Sequence, residues 1–313
     1  MANASRFTET YFQQPLTDYA LGWGAANPKM DALLEFVAPQ VITPHRFEYA
    51  YGVNDEYYRS ETDDVRSIGA DFKRVEYTSL KTTSRTFNKG LTVRVDVEEV
   101  AGIPDWETRT VDKLMKRLKL NDFRRAITLL KTGTNDAQTW NGTSGENPDT
   151  GAASVLERLV VGNTSLGFPA LNRVLYGVTA WHKRLLSLSA QSHAAGFGGY
   201  ALTEQQLAGL LGVDEVMVSR EVYASGGAAL TTLAPVVDTT VSTTGIVLLF
   251  NAQAGQSKDD PSSIKRFVSM TDGGGEYKVY RQEVNAKLVD ITVEHYSNVV
   301  ATCITGCQMI TVS

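Results

Sequence analysis

The sequence predicts an α+β protein, and three observations predict it. Residues 40–100 read as extended, charged, β-patterned structure. One long amphipathic helix follows over 105–131. From about Leu171 the composition changes, and short helices and strands mix. A chain of 313 residues has room for about two domains. A hydrophobic content of 42% with 21% charged residues is ordinary for a folded protein, so a real core can form.

The formal net charge is −5. That balance argues against a protein whose main task is gripping phosphate backbones, which needs concentrated Lys and Arg. It leaves room for a mildly acidic surface along which a packed polyanion slides. No run reaches the length of a membrane span, and the N-terminus has no charged stretch followed by an apolar one, so a secreted or membrane-anchored chain is not expected.

Residues 1–35 read as an N-terminal arm. Phe7, Tyr11, Phe12, Tyr19 and Trp23 are scattered without a clear period, and Pro15 and Pro28 are breaks. Such a segment either docks onto a surface or frays; five large aromatics favour docking. Asp31 to Phe36 is long enough for a turn or two of helix before Pro39.

Phe72–Tyr77 and Leu91–Val97 are the strongest strand candidates, with Asn88-Lys89-Gly90 as a turn signal ahead of the second. Arg66, Lys73, Glu76, Arg85, Lys89 and Arg94 make this ribbon charged. It carries too little apolar surface to form a core of its own, so its strands need a partner, and a second copy of the chain is the simplest one. The competing reading is an ordinary antiparallel sheet with one solvated face.

Asp105 is placed to cap the long helix, and Val111, Leu114, Met115, Leu118, Phe123, Ile127 and Leu130 form its apolar stripe. The polar stretch after it is a loop. Tyr176–Ser189 is predicted helical, and Thr203-Glu204-Gln205-Gln206 is a capping box opening a helix that stops near Gly212. Val213–Ala224 is then a strand, and Gly245–Asn251 a mostly apolar strand suited to the middle of a covered sheet. Phe267–Met270 and Tyr277–Val284 form two strands or a ribbon, Leu288–His295 alternates, and Val299–Val312 closes the chain in strands. Cys303 and Cys307, four apart, would share one strand and face one core as free thiols.

No catalytic constellation is present. The four histidines are far apart, and the sequence contains no GxSxG elbow, phosphate-binding loop or dinucleotide fingerprint. No cofactor, metal site or enzymatic activity is predicted.

In combination, the parts resemble the major capsid proteins of tailed bacteriophages, the Hong Kong 97-type head proteins. Val41–Tyr51 (VITPHRFEYAY) is similar to the opening of that family's extended E-loop. Ser67-Ile68-Gly69-Ala70 and Asn88-Lys89-Gly90-Leu91 resemble its small-residue and Gly-Leu positions. Val95–Lys131 resembles the exit strand and spine helix of the peripheral (P) domain. Thr179-Ala180-Trp181, Leu202–Ser219 and Val247–Phe250 resemble the axial (A) domain, and Tyr280–Val293 the P-domain hairpin.

The resemblance implies an arm over 1–35, a P domain over 36–45 and 100–170 with its spine helix at 105–131, and an E-loop over 46–99. It implies an A domain over 171–265 and return strands with the P-domain hairpin over 266–313. It implies hexamers and pentamers tiling an icosahedral shell around double-stranded DNA in a virion assembled in the host cytoplasm. The implied partners are the chain itself, portal, scaffold and decoration proteins, and DNA held without sequence specificity. Its interface candidates are Phe7, Tyr11, Phe12, Trp23, Arg66, Lys73, Glu76, Arg85, Lys89, Glu283 and Lys287. An encapsulin-like compartment shell shares the fold and is the alternative, with a mixed α/β enzyme behind it. Truncating residues 1–25 is expected to block particles while leaving a folded monomer.

Overall fold

A computed structural model describes residues 12–51, 64–66, 68–69, 71–72, 74, 80–133, 136–140, 148–149, 154–164, 170–190, 202–224, 233–239, 243–253, 257–260, 262–271, 274–285, 287–304 and 306–313. It is a mixed α/β structure that divides into two compact units. The first is Met1–Phe47, Ser84–Leu129 and Ile264–Val300, and the second is Glu48–Thr83, Leu130–Ser263 and Ala301–Ser313.

The first unit is a five-stranded sheet with helices on it. Its strands are β1 (Gln40–Ile42), β4 (Phe87–Asp96), β11 (Ile264–Ser269), β12 (Tyr277–Glu283) and β13 (Leu288–Ala301). The path runs β1-β11-β13-β12, and β4 also pairs with β13. β13 is the shared strand: residues 289–295 bond β12 along one edge and β4 along the other, both antiparallel. Its fourteen residues alternate between half-buried and buried, as a strand with one covered face must.

Helix α3 (Trp106–Gly133) begins in this unit, with its first residue preceded by Asp105 at φ 59°. Every apolar position assigned to its stripe from sequence is buried. At ~1.5 Å per residue its 28 residues span about 42 Å. Helices α1 (Gln14–Ala26) and α2 (Pro28–Val37) each open with proline in the first turn, where the missing N–H has no helical partner to lose.

This unit corrects three expectations. The arm, read as a segment docking onto a surface, is helical from residue 14 onward, and α1 and α2 bury Leu16, Ala20, Trp23, Leu33, Leu34 and Phe36 within their own chain. Only residues 1–11 of it lie outside the described residues. The ribbon does not run free to residue 99. β4, its last strand, pairs with β13 over ten residues, because its inward side chains complete that sheet. Finally, β11 and β12 are not partners of each other; β13 lies between them.

The second unit holds a sheet of order β5-β14-β10-β6-β7. Its strands are β5 (Asp136–Trp140), β6 (Arg173–Gly177), β7 (Glu215–Ser219), β10 (Gly245–Phe250) and β14 (Gln308–Val312). β10 is central and buried at all six positions, as its unbroken apolar run requires. Helices α4 (Val155–Thr164), α5 (Val178–Ala190) and α6 (Glu204–Leu211) contribute Val155, Leu159, Ala180, Leu207 and Leu211 to one core with Val174, Val247 and Ile310 of the sheet. The Thr203 capping box forms with Gln206, and Gly212 ends α6 at φ 68°, both as the sequence indicates.

Several expectations shift here. Residues 136–164 pack in this unit instead of the first, since β5 pairs β14 and α4 joins its core. The C-terminal strand also belongs here, bonded to β10. Tyr176 ends a strand and does not start a helix. The predicted strand 213–224 is two, β7 and β8 (Val222–Ala224), the latter paired with β9 (Leu233–Pro235). Both cysteines are buried free thiols, but they sit in the turn between β13 and β14, not along one strand.

Strands β2 (Arg46–Ala50) and β3 (Lys81–Arg85) form a separate two-stranded ribbon. It is closed by Thr86 N–H donating to the His45 carbonyl at 3.0 Å and Tyr51 N–H to the Leu80 carbonyl at 2.8 Å.

Candidate assembly interface

A two-stranded ribbon is marginal in water on its own, and only one strand of this one is covered: β2 buries Phe47, Tyr49 and Ala50. β3 alternates only between exposed and half-buried residues. Beyond the paired strands, Val65 is 85% exposed, Phe72 73% and Leu80 74%, and Ile68 is as open as in an extended chain. These four exposed apolar side chains lie within sixteen residues of sequence. The Arg66 guanidinium sits 4.9 Å from the Phe72 ring centroid, and the Arg85 guanidinium 5.1 Å from that of Phe87. Each guanidinium lies within cation–π reach of its ring.

The remaining candidates fall into four groups. Phe7, Tyr11, Lys73 and Glu76 lie outside the described residues. Phe12 is half-buried, bridges to Tyr280 and packs edge-on against its ring at 6.4 Å, so the chain enters α1 along β12. Glu283 and Lys287 flank the turn after β12 and are exposed. Glu283 accepts from Arg281 at 2.7 Å, and Lys287 pairs with Glu98 at 2.8 Å, both at the surface where such pairs contribute little.

Trp23 and Lys89 are corrections. Trp23 is 1% exposed, and its indole Nε1 donates to Asp112 Oδ1 at 2.7 Å; no surface of it remains for a neighbour. Lys89 turns inward, donating from Nζ to Asp122 Oδ1 and Ser297 Oγ, each at 2.9 Å.

Lys89 belongs to a buried polar cluster that sequence reading missed. The inward row of β13 continues past Val293 through His295 and Ser297. Two polar side chains on a buried face need polar partners. Asp122 supplies them: Ser297 Oγ donates to Oδ2 at 3.0 Å, and His295 Nε2 lies 3.3 Å from the same oxygen. Arg125 Nη1 adds a bond to Oδ1 at 2.7 Å. Burial pushes the Asp122 carboxyl up, but the His295 contact and the Lys89 charge outweigh it and hold the group well below the usual carboxylate range. A Ser, a His and an Asp meet here, all three nearly sealed from solvent, and the bonds of this cluster tie α3 to the sheet. The signal for it was polar residues at inward positions of an alternating strand.

Among the described residues, no three His, Cys, Asp or Glu side chains gather as a metal site. Among the described residues, no helix is long and apolar enough to cross a membrane.

No family model matches the sequence, and no curated protein matches it. Solved structures match the fold. A phage-related protein from Bordetella bronchiseptica RB50 superposes with a TM-score of 0.66 at 15% identity, over 96% of this chain and 97% of that one. A virus-like particle from Pyrococcus furiosus does so at 0.52 and 10% identity, over 96% and 98%. A structure from Microbacterium phage Oxtober96 gives 0.51 and 9% identity, over 90% and 91%. What these likenesses show is the fold, carried along nearly the whole chain. It is a fold shared with a phage-related protein, a virus-like particle and a structure from a phage.

Proposed function

We propose that this chain is the major capsid protein of a tailed bacteriophage, a structural protein that self-assembles into hexamers and pentamers of an icosahedral shell enclosing double-stranded DNA. The observation that carries the proposal is the exposure of four apolar side chains, Val65, Ile68, Phe72 and Leu80, in the stretch between β2 and β3. In the shell, residues 46–86 act as the E-loop and lie across an adjacent copy, which covers those side chains. The first unit serves as the P domain and the second as the A domain. Residues 7–12 add contact through Phe7, Tyr11 and Phe12. Arg66, Lys73, Glu76 and Arg85 set register between copies, and the turn near Glu283 and Lys287 meets neighbours. Portal, scaffold and decoration proteins complete the particle, which assembles in the host cytoplasm. Many modest contacts close together, so a lattice is strong while each interface is weak.

A compartment shell of the encapsulin type is the second reading, supported by the full-length match to a virus-like particle. Size-exclusion chromatography and negative-stain microscopy of the purified chain test the shell itself: closed particles or capsomers are expected, and a lone molecule at high concentration defeats it. The content of particles recovered from cells, DNA or a packaged protein, separates the two readings.

A further inference from the structure

The charge on α3 is sorted by face. Its acids point inward or sideways and are engaged: Glu107 accepts from Arg281 at 2.9 Å, Asp112 from Trp23, and Asp122 from the buried cluster. Its outward charges are all positive. At 100° per residue, Arg109, Lys113, Lys116, Arg117 and Arg124 fall within an arc of about 100° and along about 22 Å of axis. Arg109, Lys113, Lys116 and Arg117 are exposed, and none of the four makes an ion pair with a described residue. Next to this stripe lies an open groove of about 540 Å³ lined by Asn121, Arg124, Arg125, Thr128, Leu129 and Val299. α3 contributes none of the exposed large apolar side chains of the chain.

We propose that the outward face of α3 is a sequence-independent binding surface for a phosphodiester backbone. Guanidinium, ammonium, amide and hydroxyl donors in a line are the groups that meet phosphate oxygens. A protein partner would want exposed apolar anchors at the centre of its footprint, and Trp106 and Leu120, apolar side chains within this arc, are half-buried. The stripe also departs from the bulk composition: a chain of net charge −5 sets at least five positive charges side by side on one rigid helix. The proposal deepens the shell reading, on which it rests for the identity of the polyanion, by naming the surface turned toward the enclosed nucleic acid.

The test is fluorescence anisotropy of the full chain with a labelled 30-base-pair duplex of arbitrary sequence, across a salt series. Binding is expected at low salt, with log K falling against log salt by about 0.9 per phosphate neutralised. Reversing Lys113, Arg117 and Arg124 to Glu should weaken binding at least tenfold and flatten the slope by about 2 to 3. Reversing Lys29, Arg220 and Lys258, exposed elsewhere and carrying the same change in net charge, should weaken it less than threefold. Glutamine in place of the three stripe residues keeps the test valid if the reversal misfolds, with circular dichroism as the check. Equal loss in both triple variants overturns the proposal, as does tighter binding of labelled poly-L-glutamate than of duplex. Microscopy on the same samples keeps the questions apart: particles without duplex binding sink the stripe alone, whereas duplex binding without particles sinks the shell reading alone.

Discussion

The indole Nε1 of Trp23 donates to the Asp112 carboxylate at 2.7 Å, joining residues 89 positions apart. The bond fastens α1 to α3, and it makes the segment up to residue 26 part of the body. Trp23→Ala opens a cavity in a packed core and strands a half-buried carboxylate, so a loss of about 3–5 kcal/mol is expected. Trp23→Phe keeps most of the packing and should cost about 1–3 kcal/mol through the unpartnered carboxylate. Urea denaturation followed by circular dichroism measures both. Truncation at residue 25 is accordingly expected to unfold the first unit, reversing the expectation drawn from sequence that a folded monomer would survive it.

The Asp122 cluster predicts sensitivity to acid. A carboxyl whose folded pKa lies below its unfolded value of about 4 contributes stability that is fully present above that value and lost as pH falls below it. The groups facing Asp122 are Lys89, Arg125, His295 and Ser297. Glu276 acts in the same direction: burial raises its pKa, and Arg266 at 2.6 Å, with Lys119, lowers it further than burial raises it. Unfolding free energy should therefore be flat from neutral pH to about pH 5 and drop below about pH 4. Asp122→Asn should lower the plateau and flatten the acid limb. An acid limb of unchanged steepness in that variant would remove Asp122 from the account.

Within the second unit, the Arg184 guanidinium grips Asp149 by two parallel bonds, Nε to Oδ1 at 2.8 Å and Nη2 to Oδ2 at 2.7 Å, with both side chains at most 2% exposed. A buried pair is costly to break and less costly to replace. Asp149→Ala alone leaves an uncompensated charge in the core and should cost about 3–5 kcal/mol. The double variant Asp149→Leu, Arg184→Met should recover much of that. A double-mutant cycle by chemical denaturation checks the coupling, and simple additivity of the two single losses would contradict it.

Local and periodic signals were readable in the sequence; long-range pairing was not. The stripe of α3, the capping box at Thr203 and the all-apolar β10 each follow from spacing within one segment. The fate of Trp23 does not, since it depends on Asp112, far along the chain. Lys89 read as a loop charge because the row carrying His295 and Ser297 lies some two hundred residues away. Residues 136–164 were assigned to the wrong unit for the same reason: β5 is short and polar, and only its pairing with β14 places it. Of the exposed apolar residues between β2 and β3, only Phe72 stood in a strand read from sequence, and their lack of cover is a property of the folded chain.

That lack of cover yields the prediction closest to function. Ile68 and Phe72 are exposed in the single chain, so replacing both with Asp removes little the monomer uses. Its urea midpoint should stay within about 0.5 kcal/mol of the parent, the usual range for surface changes. An adjacent copy would instead have to bury two carboxylates where it expects apolar side chains, at a cost of several kcal/mol per interface. Repeated around every capsomer, that cost should raise the concentration at which particles form by orders of magnitude. Light scattering against protein concentration measures the onset, with microscopy to identify the product. A doubly substituted chain that forms particles at the parent concentration would show that the ribbon's apolar face is not where copies meet.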